Sequence, residues 1–328
     1  MSRVGRRGRR GSLQFWPRKR AERIYPSVNW SAIAKASEGG EPRLVGFTAW
    51  KAGTTHVSYI NTNQESPSSG KMISKTATIL DCPSLYAAGI RYYSSTYDGL
   101  KTLGEEWHGS IPKELELDRK TPPGKKKPEI DMNKVSEVRI IAVTQPKKSG
   151  MHKRKPEVIE IGISGNAESQ AKYAQSLLGK EISISDIFSP GEHIDVSGIT
   201  KGSGFTGTVK RLGVRIQTRK DKQRQRKPGS IGSTVPRKVD WRVPGAGQFG
   251  FFTRTEYNKR ILMIDNDGNK INQKGGILGY GLVKDFILIE GSTPGSQKRL
   301  IVLRRQLRKH AKVPVALEYI SKESKQGK

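Results

Sequence analysis

Between Phe188 and Arg211 the chain reads FSPGEHIDVSGITKGSGFTGTVKR. Its second half, Gly202-Ser203-Gly204-Phe205-Thr206-Gly207, matches the dinucleotide-binding glycine pattern, and with Val209 added it matches a kinase glycine loop. Context removes both readings. The acid that the dinucleotide reading needs, Asp221, sits in Arg219-Lys220-Asp221-Lys222, a basic loop and not a strand end. The strand-borne lysine, catalytic-loop and metal-binding motifs of kinases do not follow. What remains is a property of the backbone: Gly202, Gly204 and Gly207 let the main chain turn sharply or approach a phosphate chain where a β-carbon would obstruct it.

Outward from that stretch the chain becomes strongly cationic. Lys201, Lys210, Arg211, Arg215, Arg219, Lys220, Lys222, Arg224, Arg226 and Lys227 face Asp221 alone. Arg237, Lys238, Arg242, Arg254 and Lys259 continue the pattern, with Trp241 among them as an aromatic on which a splayed base could stack. Apolar residues follow neither helical nor strand period between 201 and 255, and so long a structureless stretch inside a folded chain is usually functional or disordered. It reads as a finger that another molecule orders. A second basic segment opens the chain, with Arg3, Arg6, Arg7, Arg9, Arg10, Arg18, Lys19, Arg20 and Arg23 against Glu22. Its glycines and like charges argue against a helix, so an extended arm is expected, with Phe15 and Trp16 either stacking on bases or docking on the barrel. A third run, from Lys298 to Lys312, holds Arg299, Arg304, Arg305, Arg308 and Lys309 and no acid. By contrast, Glu105 to Glu137 is nearly balanced. The asymmetry predicts one side facing a polyanion and another facing solvent.

The totals agree. Lys and Arg number 60 against 30 Asp and Glu, a formal charge of +30, although the charged fraction of 27% is ordinary. Self-repulsion of that size opposes compaction unless a polyanion neutralises it. An anionic membrane would call for an amphipathic apolar face or a lipid anchor, and neither is legible. No apolar run approaches the roughly 20 residues that span a bilayer, and the Arg/Gly-rich start leads to no secretory signal, so a cytoplasmic setting is expected. Cys82 stands alone, which excludes an intrachain disulfide and a cysteine-based zinc cluster. His56, His108, His152, His193 and His310 have no metal spacing, Asp265–Gly268 lacks the remaining calcium ligands, and no Ser/His/Asp constellation can be assigned. No cofactor, metal site or catalytic residue is expected.

Most of the chain has the pattern of strands. Leu44–Trp50 and His56–Ile60 read as two strands about a turn at Lys51-Ala52-Gly53. Met72–Leu80, Val138–Val143, Val158–Ile163, Gly281–Ile289, Leu300–Leu303 and Val315–Ile320 add further short strands, and Arg260–Ile264 with Asn269–Asn272 reads as a hairpin about Asp267-Gly268. Two helices are expected, Ser84–Tyr93 and one running from an Asn166 N-cap to Gly179 with Ala167, Ala171, Ala174 and Leu178 on one face. The predicted class is mainly β with an α/β insertion. Residues 1–40 form a basic arm, 41–80 with 181–320 a discontinuous β-barrel, 81–180 an inserted α/β lobe, 201–258 the extended finger and 321–328 a polar tail.

Phe188, Asp195, Gly198, Thr200, Gly202, Gly204, Gly207 and Arg211 fall at spacings that resemble the ribosomal protein L three family, in its archaeal form. Gly11-Ser12-Leu13 and Pro17-Arg18-Lys19-Arg20 are similar to that family's N-terminal arm, Tyr97-Asp98-Gly99-Leu100 to a segment of its insertion, and Ala246-Gly247-Gln248, Arg254-Thr255 and Asn258-Lys259 to the return of its central loop. Gly291-Ser292, Pro294-Gly295 and Arg304 resemble its late strands. Ser203, Leu212 and the histidine-free Gly229–Gly232 depart from the pattern.

The resemblance implies a six-stranded barrel like that of translation factors, an inserted lobe, and a long loop reaching through large-subunit rRNA toward the peptidyl transferase centre, with Trp241 at its tip. It further implies a structural, non-enzymatic constituent of the large ribosomal subunit that supports early assembly. The expected partners are rRNA and neighbouring subunit proteins, without a membrane and without homo-oligomerisation. Two other classes stay open from the residues: a chromatin-type nucleic-acid-binding protein and an RNA-modifying enzyme.

Overall fold

The computed structural model describes residues 11–36, 41–112, 115, 130–235, 237–308, 310–313 and 315–323. The chain divides into two compact units. One comprises the residues up to Ile24 with Ile199–Arg254, the other Tyr25–Gly198 with Thr255 onward. In chain order the strands are β1 (Gly46–Ile60), β2 (Met72–Asp81), β3 (Leu85–Thr96), β4 (Gly99–Trp107), β5 (Glu137–Val143), β6 (Val158–Gly162), β7 (Glu181–Ile182), β8 (His193–Ile199), β9 (Gly202–Thr206), β10 (Gly247–Gly250), β11 (Thr253–Asp265), β12 (Phe286–Glu290), β13 (Leu300–Arg305) and β14 (Ala316–Ile320). The helices are α1 (Ser31–Ala36), α2 (Ala167–Leu177) and α3 (Thr208–Leu212).

The larger sheet runs β13-β8-β11-β12-β2-β1-β14, and β13 also pairs with β1. β1 makes this possible through its length. Gly46–Trp50 pair antiparallel with β13, Val57–Ile60 pair with β14, and β2 follows along the other edge from Asp81 to Met72. The turn expected at Lys51-Ala52-Gly53 is therefore a bulge inside one strand, where the register with β2 shifts between Lys51 and Gly53. A glycine in a strand pattern marks a bulge as readily as a turn, and the fully buried Ala52 holds the segment in the core.

The smaller sheet runs β4-β3-β5-β6, with β7 on β3. Here the helix expected over Ser84–Tyr93 is instead strand β3. Leu85–Ile90 are buried without interruption, and a strand covered on both faces shows a continuous apolar run that periodicity cannot separate from a helix. The aromatic and β-branched residues Tyr86, Ile90, Tyr92 and Tyr93 then outweigh the helix preference of Ala87 and Ala88. Helix α2 forms as expected from Asn166, and the positive φ of Gly179, +78°, lies just past its end. The buried Gln170 fastens it to the sheet: its Oε1 accepts the Val138 N–H at 2.9 Å, and its Nε2 donates to the Ile163 and Gly165 carbonyls.

The hairpin expected about Asp267-Gly268 is also absent. Asp265 accepts the N–H of Asp267, and Asp267 accepts that of Asn269, which winds the chain into a single 3-10 turn at Gly268–Lys270. Asn272 then bonds the N–H and carbonyl of Val283, so the partner of β11 is the later strand β12. Local side-chain hydrogen bonds of Asx residues compete with strand pairing in this way.

One continuous core cluster joins Phe47, Leu80 and Ile301 of the larger sheet to Val138 and Ile140 of the smaller sheet and Ala174 of α2, and a second packs Trp50, Tyr59, Phe286 and Leu300. Beside them lies a buried carboxyl, Asp81, 2% exposed, whose Oδ2 accepts the Ser149 hydroxyl at 2.5 Å and the Tyr280 hydroxyl at 2.6 Å. Burial pushes it up to about 6, against the lowering effect of those two hydroxyls. A carboxyl raised in the folded state stabilises the fold below its unfolded value and loses that contribution as pH rises through the folded one. Between about pH 4 and pH 7 the protein should therefore lose about 2 kcal/mol of stability relative to Asp81→Asn. Urea unfolding of both proteins across that range measures it, and parallel pH profiles would refute it.

Candidate nucleic-acid interface

The first unit is organised by a two-stranded ribbon. β9 and β10 pair antiparallel, Gly247 opposite Thr206 and Gly250 opposite Gly202. Gly250 has φ +75°, and a β-carbon there would stand 2.0 Å from the Lys201 carbonyl oxygen, so the ribbon closes only with glycine. Past β9 the chain forms the short helix α3, capped by Gly213 in the left-handed region. Arg211 on that helix is almost fully buried. Its Nε donates to the Gln248 carbonyl at 2.9 Å and its Nη1 to the Gly245 carbonyl at 3.0 Å, which ties the outgoing limb to the returning one.

Beyond this foot the segment is sparsely packed but not structureless, as the sequence had suggested. Gln217 N–H donates to Gln225 O at 3.0 Å, and Arg219–Arg224 is a 3-10 stretch kinked at Lys222, where φ is +43°. Lys201, Lys210, Arg215, Arg219, Lys220, Arg224, Arg226, Lys227, Arg237, Lys238 and Arg242 are all exposed. So are Phe205, Ile231, Val235, Val239 and Trp241, the last at 58%. Among the described residues no carboxylate forms an ion pair with Lys210, Arg215, Lys220, Arg224 or Lys227. Gly204 has φ +63° and nothing within 4 Å of its missing β-carbon, and Gly207 is equally open. Gly202 meets only Phe251, at 3.6 Å.

The arm lies in the same unit. Trp16 meets the Trp241 ring edge-on at 6.2 Å, and the guanidinium groups of Arg211 and Arg18 stand 5.5 and 5.7 Å from its centroid. Phe15 lies 4.6 Å from Arg254. Within this unit the neighbours of the two aromatics are cations and the hairpin. Lys19 and Arg20 are exposed, while Arg6, Arg7, Arg9 and Arg10 fall outside the described residues. Burial, and then the Arg18 charge, hold Arg211 and Arg254 below the usual guanidinium range. Lys259, in the other unit, pairs with Glu256 at 2.8 Å.

The third basic run differs in kind. Arg304 is 9% exposed and donates to the buried Asp195 at 3.3 Å, and Arg305 donates to the Ile187 carbonyl at 2.8 Å. While Lys298, Arg308 and Lys312 of the same run are exposed, these two cations hold β13 to its surroundings. Sequence gave no sign of this, because Asp195 lies 109 positions from Arg304. No group of three or more His, Cys, Asp or Glu residues among those described can hold a metal ion.

Trp241→Ala should change the unfolding free energy by no more than about 1 kcal/mol, the worth of one aromatic edge contact, because the ring is more than half exposed. Denaturant unfolding of the purified chain measures this, and a loss of several kcal/mol would place the ring in a core instead.

The chain is thus mainly β, and one of its two units carries an exposed cationic hairpin. The family model for ribosomal protein L3 matches residues 1–327. The large ribosomal subunit protein uL3 of Methanopyrus kandleri is 44% identical over 348 residues, with 100% of this chain and 94% of that protein covered. The proteins of the same description from Methanococcus vannielii and Methanocaldococcus jannaschii are 43% and 42% identical, with 98% of each chain covered. The chain belongs to the ribosomal protein L3 family. It is accordingly a structural constituent of the large ribosomal subunit and not an enzyme, which decides among the classes left open by the residues.

Proposed function

We propose that the chain binds large-subunit rRNA through its arm and hairpin, supports early subunit assembly, and shapes the RNA near the peptidyl transferase centre. The observation that carries this reading is the hairpin from Lys201 to Gly250, whose cations other than Arg211 stand exposed around an apolar series that includes Trp241. Such a segment gains little from its own packing and much from phosphates. Lys and Arg there neutralise the RNA backbone, and Arg adds planar, bidentate contacts. Trp241 and Phe205 stack on splayed bases, at about 1–3 kcal/mol each. The open space at Gly204 and Gly207 supports close approach of RNA to main chain.

Within this reading, residues 41–80 and 181–320 make a closed six-stranded barrel of translation-factor type. Support comes from the pairing path β1-β13-β8-β11-β12-β2, which returns to β1. Residues 81–180 are its inserted lobe, 201–258 its finger, 1–40 the arm and 321–328 a polar tail. The partners are rRNA and neighbouring subunit proteins, with no second copy of the chain and no membrane.

Binding of the purified chain to large-subunit rRNA, followed against salt, tests the proposal. Neutralising about 10 phosphates gives a log–log slope of about −7 to −9. A slope near zero, or equal affinity for duplex DNA in competition, refutes it.

A further inference from the structure

We infer that Arg18, Arg211 and Arg254 form, at the foot of the hairpin, one built site for a single phosphate group of the RNA backbone, distinct from the diffuse charge further along. This rests on the reading of the hairpin as an RNA contact and adds a specific place to it.

Three residues far apart in sequence are brought to one spot by the pairing of β9 with β10 and by the arm lying against that ribbon. The Arg18 Nη1 donates to the Arg211 carbonyl oxygen at 3.5 Å, so the arm is hung on the residue that clamps the two limbs. The Arg18 and Arg211 guanidinium groups both stand beside Trp16, and Arg254 lies 4.6 Å from Phe15 and 4.9 Å from Phe252. Aromatic faces hold cations in place without neutralising them. No carboxylate among the described residues pairs with any of the three. Like charges are therefore gathered where simple solvation would spread them apart, and burial, then the field of Arg18, lowers the proton affinity of both others.

The hydrogen-bond account is also open. A guanidinium has five N–H donors. Arg254 spends one on its own neighbour, the Thr253 carbonyl, and Arg211 spends its Nε and Nη1 on the clamp. The Arg18 Nε and the Trp16 Nε1 are shielded from solvent and have no partner. A buried donor left unpaired costs about 1–3 kcal/mol. An oxyanion lodged among the three guanidinium groups accepts from their remaining N–H donors, offsets three positive charges and meets guanidinium geometry in its favoured paired form. A neutral ligand would satisfy the donors and leave the repulsion, so the site is specific for anions of phosphate geometry.

The test uses the full purified chain and inorganic pyrophosphate, titrated calorimetrically at constant ionic strength. One saturable site per chain is expected. Arg18→Gln and Arg254→Gln should each weaken it at least about tenfold, a loss of roughly 1.4 kcal/mol, while Arg215→Gln and Lys220→Gln leave it unchanged. Arg211 is left intact because it holds the hairpin limbs together. Equal weakening by all four variants, or binding that never saturates, overturns the site in favour of diffuse attraction. The same preparations are titrated with large-subunit rRNA. A chain that binds rRNA but has no saturable pyrophosphate site sinks this inference alone, and one that binds neither sinks the RNA reading as well.

Discussion

Exchanging Arg215, Arg219, Lys220, Arg224, Arg226 and Lys227 together for glutamine should lower affinity for large-subunit rRNA roughly a thousandfold near physiological salt, and flatten the salt slope by about 4 to 5. All six side chains are exposed, so the fold gives little up in exchange; surface substitutions of this kind change stability within about 0.5 kcal/mol each. The effect on RNA is large because the contribution of each phosphate contact comes mainly from released counterions, and these add. Two measurements separate binding from folding: filter binding over a range of salt, and urea unfolding of the same preparations. A loss under about tenfold with an unchanged slope would move the interface elsewhere on the molecule.

Asp195→Ala should be the most damaging single substitution for stability, at about 3–5 kcal/mol. The carboxylate is fully buried, and it receives the Arg304 guanidinium at 3.3 Å, the Leu307 N–H at 3.3 Å and the Asn258 N–H at 3.1 Å. Asn258 stands in the left-handed region at φ +55°, a conformation that Asp195 helps to hold. Alanine leaves a buried cation without its counter-charge and two main-chain donors without an acceptor. Against a total stability of about 5–15 kcal/mol, that is a large share. Asp195→Asn should cost less, because it keeps an acceptor, and adding Arg304→Met to the alanine variant should recover part of the loss. Denaturant midpoints measure all three. A loss below about 1 kcal/mol for Asp195→Ala would show that water reaches the Arg304 site.

The comparison of sequence with structure divides by the range of the interactions. Strands β2, β5, β6 and β13 were legible because each has an apolar pattern bounded by turn residues. Helix α2 was legible because Asn166, Glu168 and Gly179 mark its ends. Strand β3 was misread because burial on both faces erases the alternation that signals a strand. The bulge in β1 was misread because Gly53 serves equally for a bulge and a turn. Among candidate interface residues, the exposed cations of the hairpin lie where net charge and poor apolar content pointed. Arg211 differs from them in being bound to main-chain carbonyls, and a count of charges cannot tell such a cation, or Arg304 on Asp195, from a solvated one.

Composition and short-range pattern alone established a basic, mainly-β chain with a cationic arm and a cationic central stretch, and the glycine spacing around Gly202–Gly207 established its family resemblance. Those properties depend on residue type and local backbone freedom, which any linear reading contains. Only the tertiary structure decided that Arg18, Arg211 and Arg254 gather beside Trp16 and Phe15, that Asp195 reaches Arg304, and that β1 continues through its bulge. Each of these depends on segments that meet because distant strands pair, and pairing register is set by burial on both partners at once, which neither partner's sequence contains by itself.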